Sequence, residues 1–303
     1  MTTFHTIGDL SQSAFNPGNN EKKTGIKELD RFRVEVAPGN LLLVGSRPTI
    51  GRSSFLLFLF HKIGEAFQTA QCFITNEDTE EQVFLKLAAT VTGTERQKLA
   101  TLPEGVPDTA PGILTSDRDF ILERRVVWED LKKDMDWLVR EKQIGIFYID
   151  KVQGLFSAER FSNRDQELGH IIRELKKFAL DNRVTLFISS TLSRAVERRE
   201  GKSPYLSDLR DSGALEEFCD AIMLIHRPEV FGITIDEVGN NLYRYAEIHL
   251  CKNRYGPTGH MKFTFNAKIP RFEEFFKYYD YDYENQFNIL TDIEKFNKNL
   301  PPF

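Results

Sequence analysis

A chain of 303 residues with 41% apolar side chains is long enough for one large α/β domain or two modest ones, which excludes disorder as the default. A formal net charge of -5 excludes a surface that is basic all over, so any nucleic acid has to be gripped by a local patch. The first 20 residues hold no apolar stretch behind a basic start, and no segment approaches the ~20 apolar residues of a membrane span; a soluble, unexported, cytoplasmic chain with no membrane partner is expected.

Residues 1–23 are polar, lack a hydrophobic period and read as a tail. The run Leu41-Leu42-Leu43-Val44 then breaks into Gly45-Ser46-Arg47-Pro48-Thr49-Ile50-Gly51-Arg52-Ser53-Ser54 before Phe55-Leu56-Leu57-Phe58-Leu59-Phe60, which parses as strand, glycine-containing loop and helix. A second strand at 71–74 ends in Asn76-Glu77-Asp78 and leads into a helix through 81–89. Residues 101–117, with three prolines and two glycines, read as an exposed loop, and Leu131, Met135 and Leu138 mark a helix over 128–142. Further strands are predicted at 144–149, closed by Asp150, at 184–189 and at 221–225, with a helix at 165–180 between the first two. Buried strands alternating with amphipathic helices predict an α/β fold, a mostly parallel sheet covered on both faces. Alternating strands at 243–251 and 260–265, joined through Lys252 to Gly259, predict a C-terminal β-hairpin, and the acidic-aromatic end from residue 274 to 303 reads as a second tail. Cys72, Cys219 and Cys251 lie far apart in or beside apolar runs and read as core residues in a reducing compartment.

The loop at 45–54 has the ingredients of a phosphate cradle: small residues that let successive N–H groups curl around an anion, with a helix N-terminus behind them. The usual signature closes on Lys followed by Ser or Thr, the ammonium reaching the β and γ phosphates and the hydroxyl holding Mg²⁺. Ser53 supplies the hydroxyl, but Arg52 stands where Lys belongs. Its planar guanidinium keeps the charge and loses the compactness, which predicts nucleotide binding with impaired hydrolysis. By itself the loop fits an ordinary strand-to-helix turn as well as a phosphate cradle.

Taken with its neighbours, the loop resembles the Gly-x-Arg-Pro-x-x-Gly-Lys-Thr motif of DnaB-type replicative helicases. Thr24 to Asp30 looks like that family's Thr-Gly lead-in, and Thr75 to Gln82 is similar to its Ser-Leu-Glu-Met-x-x-Glu-Gln. Ile149-Asp150-Lys151-Val152-Gln153 resembles Ile-Asp-Tyr-Leu-Gln, and Ser190-Thr191-Leu192-Ser193-Arg194 resembles Ser-Gln-Leu-Asn-Arg with Thr191 in the place of Gln. Ser207-Asp208-Leu209-Arg210-Asp211-Ser212-Gly213 is close to Ser-Asp-Leu-Arg-Glu-Ser-Gly, and Lys252-Asn253-Arg254-Tyr255-Gly256-Pro257-Thr258-Gly259 resembles Lys-x-Arg-Asn-Gly-Pro-x-Gly.

The resemblance covers residues 24–273 and implies a RecA-like P-loop NTPase domain flanked by the two tails. It implies that Arg47, Pro48, Gly51, Arg52, Ser53 and Ser54 bind ATP, that Ser53 and Asp150 organise Mg²⁺, and that Glu77 activates water. Arg254 becomes an arginine finger reaching a neighbour's nucleotide with Lys252 beside it, which implies a homohexamer. Arg210, Asp211 and Gly213 become contacts to single-stranded DNA. The basic run from Arg194 through Arg198, Arg199 and Lys202 suits a pore that tracks phosphates, or else an ordinary solvated loop. The alternative function is a hydrolysis-deficient nucleotide- and DNA-binding scaffold or regulator, favoured by Arg52 and Thr191. A recombinase- or clock-type relative suits the fold but explains Ser207 to Gly213 less well.

Overall fold

The computed structural model describes residues 23–100, 112–123, 127–209 and 212–275. In chain order the main elements are α1 (Lys27–Arg31), β1 (Leu41–Ser46), α2 (Arg52–Phe67), β2 (Gln71–Thr75), α3 (Glu80–Thr92), α4 (Arg96–Leu99), β3 (Asp119–Glu123), α5 (Trp128–Lys142), β4 (Ile146–Asp150), α6 (Arg164–Asn182), β5 (Thr185–Thr191), α7 (Ser212–Phe218), β6 (Ala221–His226), β7 (Tyr245–Asn253), β8 (Gly259–Asn266) and β9 (Arg271–Glu274). Among the described residues these strands form one sheet in the order β3-β2-β4-β5-β1-β6-β7-β8-β9. The strands from β3 to β6 run parallel, and β7, β8 and β9 extend the sheet antiparallel.

Strands β1, β2, β4 and β6 are buried along their whole length, as expected of strands covered on both faces. Their side chains alternate between two cores. Leu42, Val44, Phe73, Tyr148 and Phe187 join α2 and α3 on one face, while Leu41, Leu43, Ile74, Phe147 and Ile149 join α5 and α6 on the other. Helix α2 is buried from Phe55 to Phe60 and again at Ile63 and Gly64, with Lys62 and Glu65 turned to solvent. Phe60 packs edge-on to Tyr148 at 5.3 Å, under the parallel half, and Phe55 packs against Phe263 at 5.6 Å and Phe272 at 5.1 Å, under the antiparallel half. At the start of α3, Thr79 and Gln82 form a reciprocal capping box, which fixes the chain just after Glu77.

Strands β3 and β9 are not among those expected from the sequence. Both are short edge strands: β3 is only half buried and flanked by charge, and β9 follows the turn after β8, so neither carries the continuous apolar run that marks a central strand. The hairpin is accordingly one part of a three-stranded antiparallel extension. Residues 1–22 and 276–303, holding most of both expected tails, lie outside the described residues, as do Arg210 and Asp211. The three cysteines are free thiols, and burial raises the pKa of each, that of Cys251 to about 11, which suits packing residues. No helix among the described residues is long and apolar enough to cross a membrane.

Phe55→Ala removes the ring that joins α2 to the antiparallel strands. It is expected to cost about 3–5 kcal/mol of unfolding free energy, read from urea denaturation; a loss below about 1 kcal/mol would show that α2 is held mainly by the parallel half.

Candidate nucleotide site

The carboxyl ends of β1, β2, β4 and β5 share one edge of the sheet, where open α/β sheets bind their ligands. From β1 the chain turns through the loop at 47–51 into α2. Arg47 ties this loop down: its guanidinium donates to the Leu192 carbonyl at 2.8 Å and pairs with Glu197 at 2.6 Å. Buried Arg227 holds the other side, donating to the Ile50 carbonyl at 3.2 Å while its guanidinium lies 3.9 Å above the Phe265 ring. Gly51 sits at φ +108°, which favours glycine, and a Cβ there would stand in tight contact 3.1 Å from Phe265 and 3.2 Å from Phe272. Helix α2 starts from this glycine without a side-chain cap, which leaves its first amides and the positive end of its dipole turned to the edge of the sheet.

Sheet register brings the two acids together. Thr75 at the end of β2 pairs with Asp150 at the end of β4, so Glu77 and Asp150 come from adjacent strand ends. Arg52 reaches both: Nε lies 3.4 Å from Asp150 Oδ1 and an Nη lies 3.5 Å from Glu77 Oε2. Its other Nη donates to the Thr191 hydroxyl at 2.9 Å. Arg52 and Thr191, two positions that depart from the motif of the DnaB type, are thus in contact with each other. Asp150 is buried and accepts a 2.6 Å hydrogen bond from the Ser189 hydroxyl. Glu77 also pairs with Lys151, and Gln153 donates to the Ser190 hydroxyl at 2.7 Å while its Oε1 accepts the Thr191 amide at 3.3 Å. The amino-acid sequence by itself assigns no role to Ser189, Lys151 or Gln153. Lys151 carries the nearest thing to a signal, a cation where the resembling motif has Tyr.

Arg254 and Lys252 lie elsewhere. Ala221 at the start of β6 pairs with Asn253, so Arg254 stands at the amino-terminal edge of the parallel strands, opposite the loop at 47–51. Its side chain is 62% exposed and its guanidinium donates to Asp220 at 2.9 Å. The Asp220 bond raises the Arg254 pKa further. Within one chain Arg254 therefore does not join Arg52, Glu77 and Asp150. Lys252 is engaged locally: its ammonium donates to the Glu216 carbonyl at 2.6 Å and the Glu217 carbonyl at 3.3 Å, at the negative end of α7. Gly213 is at the start of that helix. Of the basic run, Arg199 is paired with Asp208 and Lys202 donates to the Glu197 carbonyl at 2.7 Å, while Arg194 and Arg198 are exposed.

A glycine-cornered turn between strand and uncapped helix, with two acids at neighbouring strand ends of a mostly parallel sheet, defines a P-loop NTPase of the RecA type. The chain belongs to the DnaB-like helicase C-terminal domain family, whose sequence model matches residues 22–274. It is 27% identical over 262 residues to the replicative DNA helicase DnaB of Buchnera aphidicola subsp. Baizongia pistaciae, covering 83% of this chain and 55% of that protein. It is likewise 27% identical over 282 residues to DnaB of Haemophilus influenzae, covering 90% of this chain and 59% of that protein. The chain thus spans a little over half the length of these curated relatives. A solved DnaB-like replicative helicase, described with its interactions with primase, shares the fold at a TM-score of 0.75 and 24% identity, over 89% of this chain and 67% of that one.

Asp220 anchors the edge that carries Arg254. Burial opposes its ionisation, but hydrogen bonds from Lys176, the Leu41 amide and Arg254 outweigh that and hold its pKa below the ordinary value. The stability tied to the carboxylate is therefore complete above the unfolded value of about 3.9 and is lost as pH falls through the lower folded value. Asp220→Asn is expected to cost about 1–3 kcal/mol at pH 7 by urea denaturation. The gap to the natural chain should close only below about pH 3.9; a gap already closed at pH 5 would show that these ion pairs contribute nothing.

Proposed function

We propose that this chain is the ATP-hydrolysing motor of a replicative helicase of the DnaB type, working as a homohexamer on single-stranded DNA. The observation that carries the reading is the division of one site between two sheet edges: the cradle, Glu77 and Asp150 at one, exposed Arg254 at the other.

The residues fit a Mg²⁺-nucleotide. Gly51 holds a left-handed backbone with two rings close by, the start of α2 has no competing cap, and a buried acid lies at the end of β4. In this reading Arg47 and Pro48 shape the loop, Gly51 lets the backbone approach the phosphates, and Arg52, Ser53 and Ser54 contact them. Ser53 and Asp150 hold Mg²⁺, which when bound offsets the charge on the β and γ phosphates. Glu77 orients the attacking water. Arg52 must exchange its pairs with Asp150 and Glu77, at 3.4 and 3.5 Å, for phosphate oxygens, and that exchange frees both acids for their tasks. Thr191, shorter than the Gln of the resembling motif, gives the guanidinium its space. Arg254 of a neighbouring copy completes the site, and Arg210, Asp211 and Gly213 follow the DNA backbone. Lys252, two residues before Arg254, is the partner of that finger, and here it holds the carboxyl-terminal end of α7.

A second reading has its own observation. Glu77 is paired with both Arg52 and Lys151, so the carboxylate that should orient water is held by two cations. A protein fixed in that state binds nucleotide and DNA and does not hydrolyse, as a scaffold or regulator would.

DNA-stimulated ATP turnover separates the two. For a motor, the natural chain turns over ATP and Glu77→Gln loses about 10²-fold or more; turnover seen only in Arg52→Lys would establish the scaffold. Mixing inactive Glu77→Gln with inactive Arg254→Ala is expected to restore part of the activity, because a mixed ring contains interfaces with both groups intact. Two variants that stay inactive when mixed, while still assembling, would remove the role given to Arg254.

A further inference from the structure

Outside the nucleotide edge, the antiparallel extension gathers three metal-ligating side chains on one face. Glu247 and His249 are two apart on β7 and so point the same way, and His249 pairs across the sheet with His260 on β8. Glu247 Oε2 lies 2.7 Å from His249 Nε2, and Glu247 Oε1 lies 3.3 Å from His260 Nδ1. One ligand atom from each residue falls within 4.8 Å of the other two. The imidazole rings of His249 and His260 stand 4.3 Å apart, and buried His226 flanks His249 with ring centroids 5.9 Å apart.

Two imidazoles and a carboxylate suit a particular class of ion. Ligands bound to Zn²⁺ at ~2.0–2.2 Å in a tetrahedron stand ~3.3 Å from one another, the separation already present between Glu247 Oε1 and His260 Nδ1, while the 2.7 Å Glu247–His249 hydrogen bond would open to admit the ion. Nitrogen donors disfavour Mg²⁺ and Ca²⁺, which take oxygen. The site is also graded in depth: His249 is buried at 6% exposure while the His260 side chain is 58% exposed, so the inner ligand is held by packing and the outer one is open to solvent.

We infer that Glu247, His249 and His260 form a binding site for Zn²⁺ or a similar divalent transition ion. The ion would clip β7 to β8 at the base of the turn that presents Arg254, adding a cross-strand link where the hairpin otherwise relies on its ladder. The site needs no nucleotide and stands independently of the motor reading.

The test uses the full chain freed of metal by chelation and titrated with Zn²⁺ at pH 7.5 by calorimetry, with Co²⁺ absorption as a second readout of tetrahedral geometry. The expected result is one ion per chain, a visible Co²⁺ spectrum, and affinity at least about tenfold weaker in His249→Ala and in His260→Ala. Exposed His260 can be changed without loss of core packing, so its variant keeps the test valid if His249→Ala fails to fold. Absence of Zn²⁺ binding, or binding unchanged in His260→Ala, overturns the inference. So does binding lost instead in His170→Ala, which would place the ion at the separate Glu129, Glu159 and His170 cluster.

Discussion

The molecule depends on the burial of the apolar run Phe55–Phe60 of α2. A helix that began beside a sheet with only one apolar stripe could shift or tilt; this one is closed in by Tyr148 from the parallel half and by Phe263 and Phe272 from the antiparallel half. Its first residue is thereby fixed, and with it the glycine turn at Gly51, which lies against Phe265 and Phe272. Phe272, which packs against the helix, is also one of the two rings that would crowd a side chain at the turn. Core packing and the shape of the phosphate cradle are one constraint.

Arg52 gives that cradle its own character. A guanidinium is wider than an ammonium and offers donors along a fixed fork, and here the fork spans Asp150, Glu77 and the Thr191 hydroxyl. The exchange of Lys for Arg and of Gln for Thr, taken one at a time, looks like damage to the motif. Placed 2.9 Å apart, they look like a matched substitution in which the larger cation occupies the volume that the smaller neighbour gives up.

Much of this fold and site is legible in the amino-acid sequence. The central strands announce themselves because both faces are covered and nearly every position is apolar, and Glu77 and Asp150 are readable because each follows such a run closely. The edge strands β3 and β9 are not, since half-buried strands of four or five residues carry little pattern. What local pattern does not carry is sheet order. Ser189 reaches Asp150 because β5 lies beside β4, and Asp220 receives Lys176 and Arg254 because β6 starts where β7 ends; neither adjacency is written in spacing along the chain. Lys252 shows the same limit from the other side. Its charge is plain, but the carbonyls of α7 that hold it belong to residues some 35 positions away.

The placement of Arg254 on the edge opposite the cradle has a consequence for assembly. A surface that donates at one end of the sheet and receives at the other joins copies head to tail, and such heterologous contacts end only when a ring closes; otherwise they run on as a helical filament. If Arg254 is borrowed as proposed, a lone subunit holds every group except that one, and turnover would wait until neighbours are in place. On the proposed reading, subunit concentration would govern activity as directly as nucleotide does.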